Sequence, residues 1–220
     1  MVKGYKYFLF DLDGTLIDTK DMIYLSFDYV LGKYLGRSVS KEEIDNQVGI
    51  PLRTIMEKYF SGSKSEKIQE IIQDFHVYQR DNLADTVTLF PGISEVLQVI
   101  IASRKKCGVV TSRSGSSTKD FLKRLGLESM FPVCVTVEST THHKPHPEPV
   151  EYAMSLLGVQ DPSEVLFVGD SEFDIEAGTR ARVDTALALW GLFDSYEALV
   201  QPKYFLRSPE DLLSYCVTVQ

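Results

Sequence analysis

Asp11-Leu12-Asp13-Gly14-Thr15 sets two carboxylates two residues apart, directly after the apolar run Tyr7-Phe8-Leu9-Phe10. Three later patches have a related character. Thr111-Ser112 follows Cys107-Gly108-Val109-Val110, Lys144 precedes Pro145, and Asp170 follows Val165-Leu166-Phe167-Val168-Gly169, with Asp174 one helical turn on. Clustered carboxylates repel one another, so protonation or a metal must compensate. A hard divalent cation does this at neutral pH, and Mg2+ typically takes one or two carboxylates together with substrate phosphate. With such an ion and Lys144, an otherwise acidic pocket would attract a phosphate. Thr111 and Ser112 add hydroxyl donors, and the Ser114-Gly115-Ser116 turn offers backbone N–H groups at a helix start. The set suits phosphoryl transfer.

Each residue also has an ordinary role open to it. Asp13-Gly14 between apolar neighbours is a hairpin turn signal. Asp170 and Asp174 could cap and charge the first turn of a helix. Thr111-Ser112 could be an N-cap pair and Lys144 a solvated lysine. What favours chemistry is their order, because each patch falls where an apolar run ends.

Those runs are short, rich in β-formers and followed by small or polar residues, as strands buried on both faces should be. Val133 to Val135 and Thr185 to Leu189 read the same way. Between them lie helical spacings: Val96, Leu97, Ile100 and Ile101; Phe121, Leu122 and Leu125; Val150, Ala153, Met154 and Leu157. Alternating strands and helices predict an α/β fold with a Rossmann-like, mostly parallel sheet. In such sheets ligands bind beyond the carboxyl ends of the strands, which is where the polar patches stand.

Residues 18 to 85 break the alternation. Ile23, Phe27, Val30 and Tyr34, then Leu52, Ile55, Met56 and Tyr59, then Ile68, Ile71, Ile72 and Phe75 recur at helical spacing, with no convincing strand. The expected organisation is an α/β core of residues 1–17 and 86–220 carrying an inserted all-helical cap domain, residues 18–85. The 220 residues are 44% hydrophobic and 25% charged, which excludes disordered and collagen-like classes. With 23 basic and 31 acidic residues the net charge is −8, and no basic block occurs, so neither nucleic acid nor an anionic membrane is an expected partner. No apolar run approaches a membrane span or a signal-peptide core. Cys107, Cys134 and Cys216 are odd in number and widely spaced, not a disulfide framework; Cys107 and Cys134 read as small core residues. A soluble cytoplasmic protein is expected.

Asp11-Leu12-Asp13-Gly14-Thr15-Leu16-Ile17-Asp18 resembles the first motif of the haloacid-dehalogenase-like hydrolases. Thr111-Ser112 is similar to the second motif, Lys144-Pro145 to the third, and Gly169-Asp170-Ser171-Glu172-Phe173-Asp174 to the fourth. The insertion after Asp18, with Gly49-Ile50-Pro51-Leu52-Arg53 in it, resembles the helical cap of the subgroup with phosphoglycolate phosphatases and related pyrophosphatases. The resemblance implies Asp11 as the nucleophile that becomes an aspartyl-phosphate, and Asp13 as the acid and base of the two half-reactions. It implies Mg2+ held by Asp11, the Asp13 backbone carbonyl, Asp170 and Asp174, and phosphoryl oxygens held by Thr111 or Ser112 and by Lys144. Arg53 could reach the far end of an anionic substrate. The expected activity is a Mg2+-dependent phosphatase acting on a small phosphorylated metabolite, under a mobile cap.

Asp13 separates branches of the family, since the dehalogenases it resembles carry tyrosine there and the phosphonate-cleaving members alanine. A sugar phosphomutase and an inorganic pyrophosphatase stay open, although Thr19-Lys20-Asp21-Met22-Ile23-Tyr24 lacks the histidine mutase caps usually supply. A phosphoacceptor switch domain is the non-enzymatic alternative. Two places depart from the family pattern. The third motif runs Lys144-Pro145-His146, with histidine where an aspartate is usual, and His142, His143 and His146 crowd the lysine. Arg182, in Ala181-Arg182-Val183, replaces a usual glycine.

Overall fold

The computed structural model describes residues 3–45, 47, 50–191 and 200–216. In chain order the elements are β1 (Tyr7–Phe10), β2 (Ile17–Asp18), α1 (Lys20–Leu35), α2 (Lys41–Asp45), α3 (Leu52–Tyr59) and α4 (Ser65–Tyr78). There follow β3 (Thr88–Leu89), α5 (Ile93–Ala102), β4 (Lys106–Val110), α6 (Gly115–Arg124), β5 (Val133–Val135) and α7 (Glu148–Leu157). The chain closes with β6 (Val165–Gly169), α8 (Glu172–Arg180), β7 (Asp184–Ala188) and β8 (Tyr204–Leu206). Two compact units result: Met1–Asp18 with Leu89–Gln220, and Thr19–Thr88.

The larger unit is an α/β fold on a six-stranded sheet of order β5-β4-β1-β6-β7-β8, parallel at every pairing. β1 is central because all four of its residues pair with both β4 and β6. Its side chains alternate between faces, yet Phe8, Leu9 and Phe10 are each fully buried, so both faces are covered. On one face Leu9, Val165 and Phe167 pack with Val150, Ala153 and Leu157 of α7 and Ala177 of α8. After β5 the chain crosses back to the far side of β1 to lay down β6. The strand order therefore reverses at β1, the kind of switch point where parallel sheets bind ligands.

The inserted unit is helical. Phe27, Val30 and Leu31 of α1, Ile55 and Met56 of α3, and Ile68, Ile71, Ile72 and Phe75 of α4 share one buried cluster. These are the positions the 3.6-residue period selects. Gly36 ends α1 at φ 67° and donates its N–H to the Gly32 carbonyl, a left-handed cap glycine adopts without a Cβ penalty.

One expectation needs correction. Cys134 is exposed, not core, because β5 is the sheet's outer strand and turns its middle residue to solvent. β8 was not foreseen: in Tyr204-Phe205-Leu206 only Leu206 is buried, so no continuous apolar run marks it. Arg182 takes the glycine's backbone conformation itself, at φ 62°, and donates its N–H to the Thr179 carbonyl. Gly49, from the cap-loop reading, lies outside the described residues. Among the described residues, no helix is long and apolar enough to cross a membrane.

Candidate active site

Register brings the polar patches together. Phe10 is level with Val109 on β4 and with Val168 on β6, so Asp11, Thr111 and Asp170 leave three adjacent strands at nearly one height. The ladder runs on past the strands: Asp11 N–H donates to the Val168 carbonyl at 2.9 Å, and Thr111 N–H to the Val135 carbonyl at 2.9 Å. The nucleophile candidate is thus held by backbone bonds in the middle of the sheet.

Lys144 reaches this edge from the loop before α7. Its Nζ donates to Asp11 Oδ1 at 2.7 Å, Asp174 Oδ1 at 2.6 Å and the Val110 carbonyl at 3.3 Å. Its side chain is 2% exposed, and those of its partners 10% and 1%. It is no solvated surface lysine.

Asp174 caps a helix and faces Lys144 at the same time. Its Oδ2 accepts from the Ser171 hydroxyl at 2.5 Å and the Ser171 N–H at 3.2 Å, while its own N–H donates back to Ser171 Oγ at 3.3 Å. This reciprocal capping box starts α8 and leaves Oδ1 for Lys144. Asp170 accepts from the Thr15 hydroxyl at 3.2 Å. Two glycines make room for these carboxylates: a Cβ on Gly14, which sits at φ 76°, would strike Asp170, and one on Gly169 would strike Asp174.

Asp11, Asp170 and Asp174 each offer a carboxylate oxygen within 4.8 Å of the others, and all three are buried. Three carboxylates against one ammonium leave a local excess of negative charge. Burial pushes the Asp11 carboxyl up to about 7, with the Asp174 and Asp13 charges adding to the rise and Lys144 opposing it. Burial alone would lower Lys144, but the Asp11 and Asp174 charges outweigh it and hold the amine protonated. A buried all-oxygen set with surplus negative charge is the donor chemistry a hard divalent cation requires, so these residues fit such an ion.

Asp13 stands apart from that trio. Its carboxylate faces Arg113, which donates Nε to Oδ2 at 2.9 Å and Nη2 to Oδ1 at 2.5 Å. The two side chains are 16% and 7% exposed. Arg113 is itself fixed, with Nη1 on Ser117 Oγ at 2.9 Å, its guanidinium 5.0 Å from the Phe121 ring centre, and its N–H on Thr111 Oγ1 at 3.1 Å. Sequence reading overlooked Arg113. The signal was there in a basic residue straight after Thr111-Ser112, with Ser117 and Phe121 following at helical intervals of four. Trp190 Nε1 donates to the Thr15 carbonyl at 3.0 Å, which ties the segment just past β7 to the Asp11–Thr15 loop.

Ser112 follows Thr111 on the loop leaving β4. Arg53 belongs to the helical unit, where it pairs with Gln69 and lies 3.6 Å from Glu57; its charge is engaged locally.

A central parallel sheet that gathers an Asp-x-Asp loop, a buried lysine and two further aspartates defines a class of α/β hydrolases. The haloacid dehalogenase-like hydrolase family matches residues 8–188, and the chain belongs to that family. Among curated relatives, the protein named pyrophosphatase PpaX of Bacillus pumilus is 36% identical over 208 residues, covering 94% of each chain. That of Bacillus velezensis is 34% identical over 206 residues, covering 93% of each. Among solved structures, a haloacid dehalogenase-like family hydrolase from Streptococcus pneumoniae superposes with a TM-score of 0.80 at 25% identity, covering 96% of this chain and 98% of the other. A predicted phosphoglycolate phosphatase from Haemophilus somnus gives 0.83 at 24%, over 95% and 96%.

Proposed function

We propose that this hydrolase is a Mg2+-dependent phosphatase that cleaves a small phosphorylated metabolite through an aspartyl-phosphate on Asp11. The observation that carries the reading is the buried Asp11–Lys144–Asp174 chain beside Asp170. Asp11 Oδ attacks phosphorus, the Asp11–phosphorus bond forms, and the bond to the leaving oxygen breaks. Asp13 gives that oxygen its proton. In the second half, Asp13 takes a proton from water, whose oxygen attacks phosphorus and frees Asp11. One carboxyl thus serves as acid and then base. The two-point Arg113 contact fixes where the Asp13 carboxyl sits for both steps.

Lys144, Thr111 and Ser112 hold the phosphoryl oxygens, and Lys144 orients Asp11 before substrate arrives. Mg2+, bound by Asp11, Asp170, Asp174 and the Asp13 carbonyl, would supply the charge neutralisation that lets one anion approach another. A second reading, inorganic pyrophosphate as substrate, is favoured by the pyrophosphatase names of relatives 34–36% identical to this chain.

The test is turnover of an aryl phosphate by Asp11→Asn. Loss of at least about 10³-fold, in line with the loss of an essential covalent nucleophile, is expected; activity near wild type would overturn the nucleophile assignment. Release of phosphate from pyrophosphate and from phosphoglycolate by the wild type then decides between the two substrates.

A further inference from the structure

The three histidines around Lys144 are not used by the proposed chemistry, and two of them meet a carboxylate at the surface. His142, His146 and Glu148 each present one ligand-capable atom within 4.8 Å of the others, with both histidines exposed and Glu148 half-buried. The imidazole rings of His142 and His146 stack at 4.4 Å between centres and 25° between planes.

Glu148 holds the arrangement together. Its carboxylate accepts the Thr141 N–H at 3.1 Å, the His142 N–H at 2.9 Å and the His142 ring at Nδ1 at 2.6 Å. These bonds hold the Glu148 carboxyl down at about 2, with the His142 side chain the largest contributor. A carboxylate on Nδ1 fixes the proton there and turns the Nε2 lone pair outward, the arrangement that orients metal-ligating histidines. His146 Nδ1 meets the Glu148 N–H at 3.2 Å, a contact that ligation through that nitrogen would replace. The His146 N–H in turn donates to the His143 carbonyl at 2.8 Å and closes the turn that contains Lys144-Pro145.

We propose that His142, His146 and Glu148 form a surface site for a borderline divalent transition ion of the Zn2+ class, clasping the turn that carries Lys144. Two imidazoles and a carboxylate are a nitrogen-rich set that favours such ions over Mg2+, whereas the buried aspartates offer oxygen alone. With bonds of ~2.1 Å, ligand atoms of a tetrahedral site lie about 3.4 Å apart. The three atoms lie within 4.8 Å of one another, so the set closes by rotation of the two exposed histidines toward Glu148, and solvent completes the coordination.

The test is calorimetric titration of Zn2+ into untagged full-length protein in Mg2+-containing buffer. Wild type is expected to bind one Zn2+ per chain at this site, Glu148→Gln about 10–100-fold more weakly, and His142→Ala/His146→Ala not at all. Asp170→Asn, altered only at the buried carboxylates, should keep the site. Co2+ in place of Zn2+ should give visible absorption of nitrogen-ligated cobalt in wild type that the double variant lacks. Zn2+ binding by the double variant equal to wild type, or no binding by wild type, would overturn the proposal. Both outcomes are independent of whether the protein hydrolyses phosphate.

Discussion

Arg113 grips Asp13 with two nitrogens across 100 residues of sequence, in a pair only 7% and 16% exposed. A two-point contact fixes the carboxylate plane as well as its position, which a single ammonium would not do. If Asp13 is the acid and base, its aim depends on this contact. Arg113→Ala is therefore expected to lower kcat about tenfold or more while changing KM much less. Arg113→Lys should recover part of the loss. Steady-state kinetics on an aryl phosphate would read both. Equal losses in a phosphate-binding affinity measurement would instead point to a direct contact with substrate.

At the scale of elements, two features of the α8–β7 region carry measurable consequences. Arg182 holds a left-handed backbone at the turn between them, which costs an L-residue roughly 1–2 kcal/mol. Its side chain is exposed, so Arg182→Gly removes the backbone penalty and loses little packing. A gain of about 1 kcal/mol in denaturant unfolding is expected after part is offset by the looser unfolded chain. Asp184, at the start of β7, gathers Lys3 Nζ at 2.7 Å, Tyr5 Oη at 2.6 Å and Lys203 Nζ at 2.8 Å. Burial pushes its carboxyl up, but the bonds from Lys203, Lys3 and Tyr5 outweigh that and leave it below the ordinary value. A carboxyl lowered on folding stabilises above its unfolded value, and the benefit disappears as pH falls through the folded one. Asp184→Asn should therefore destabilise near neutrality and flatten the stability profile below about pH 4, as followed by thermal unfolding across acid pH.

At the scale of the whole chain, the buried aspartates come from two places far apart in sequence, Asp11 after β1 and Asp170 with Asp174 after β6, and meet only when the sheet is formed. An ion that binds them binds the native state alone and raises the melting temperature by mass action. Addition of Mg2+ is expected to raise Tm for wild type and EDTA to reverse it, with the shift much reduced in Asp170→Asn. A shift as large in that variant would remove Asp170 from the ligand set.

The sequence by itself determined the parallel sheet and the residues at its strand ends. A strand buried on both faces must be apolar throughout, so the first polar residue after it is visible without coordinates: Asp11 after Phe10, Thr111 after Val110, Asp170 after Gly169. It also determined the helical insert, whose buried positions recur at the helical period. Tertiary structure decided what local pattern does not encode. That Asp174 caps α8 and binds Lys144 at once, that Arg113 rather than solvent faces Asp13, and that Cys134 looks outward from an edge strand all depend on which segments become neighbours. Burial leaves a period in one dimension; an ion pair across 100 residues leaves none, because its geometry exists only after the strands have taken their order.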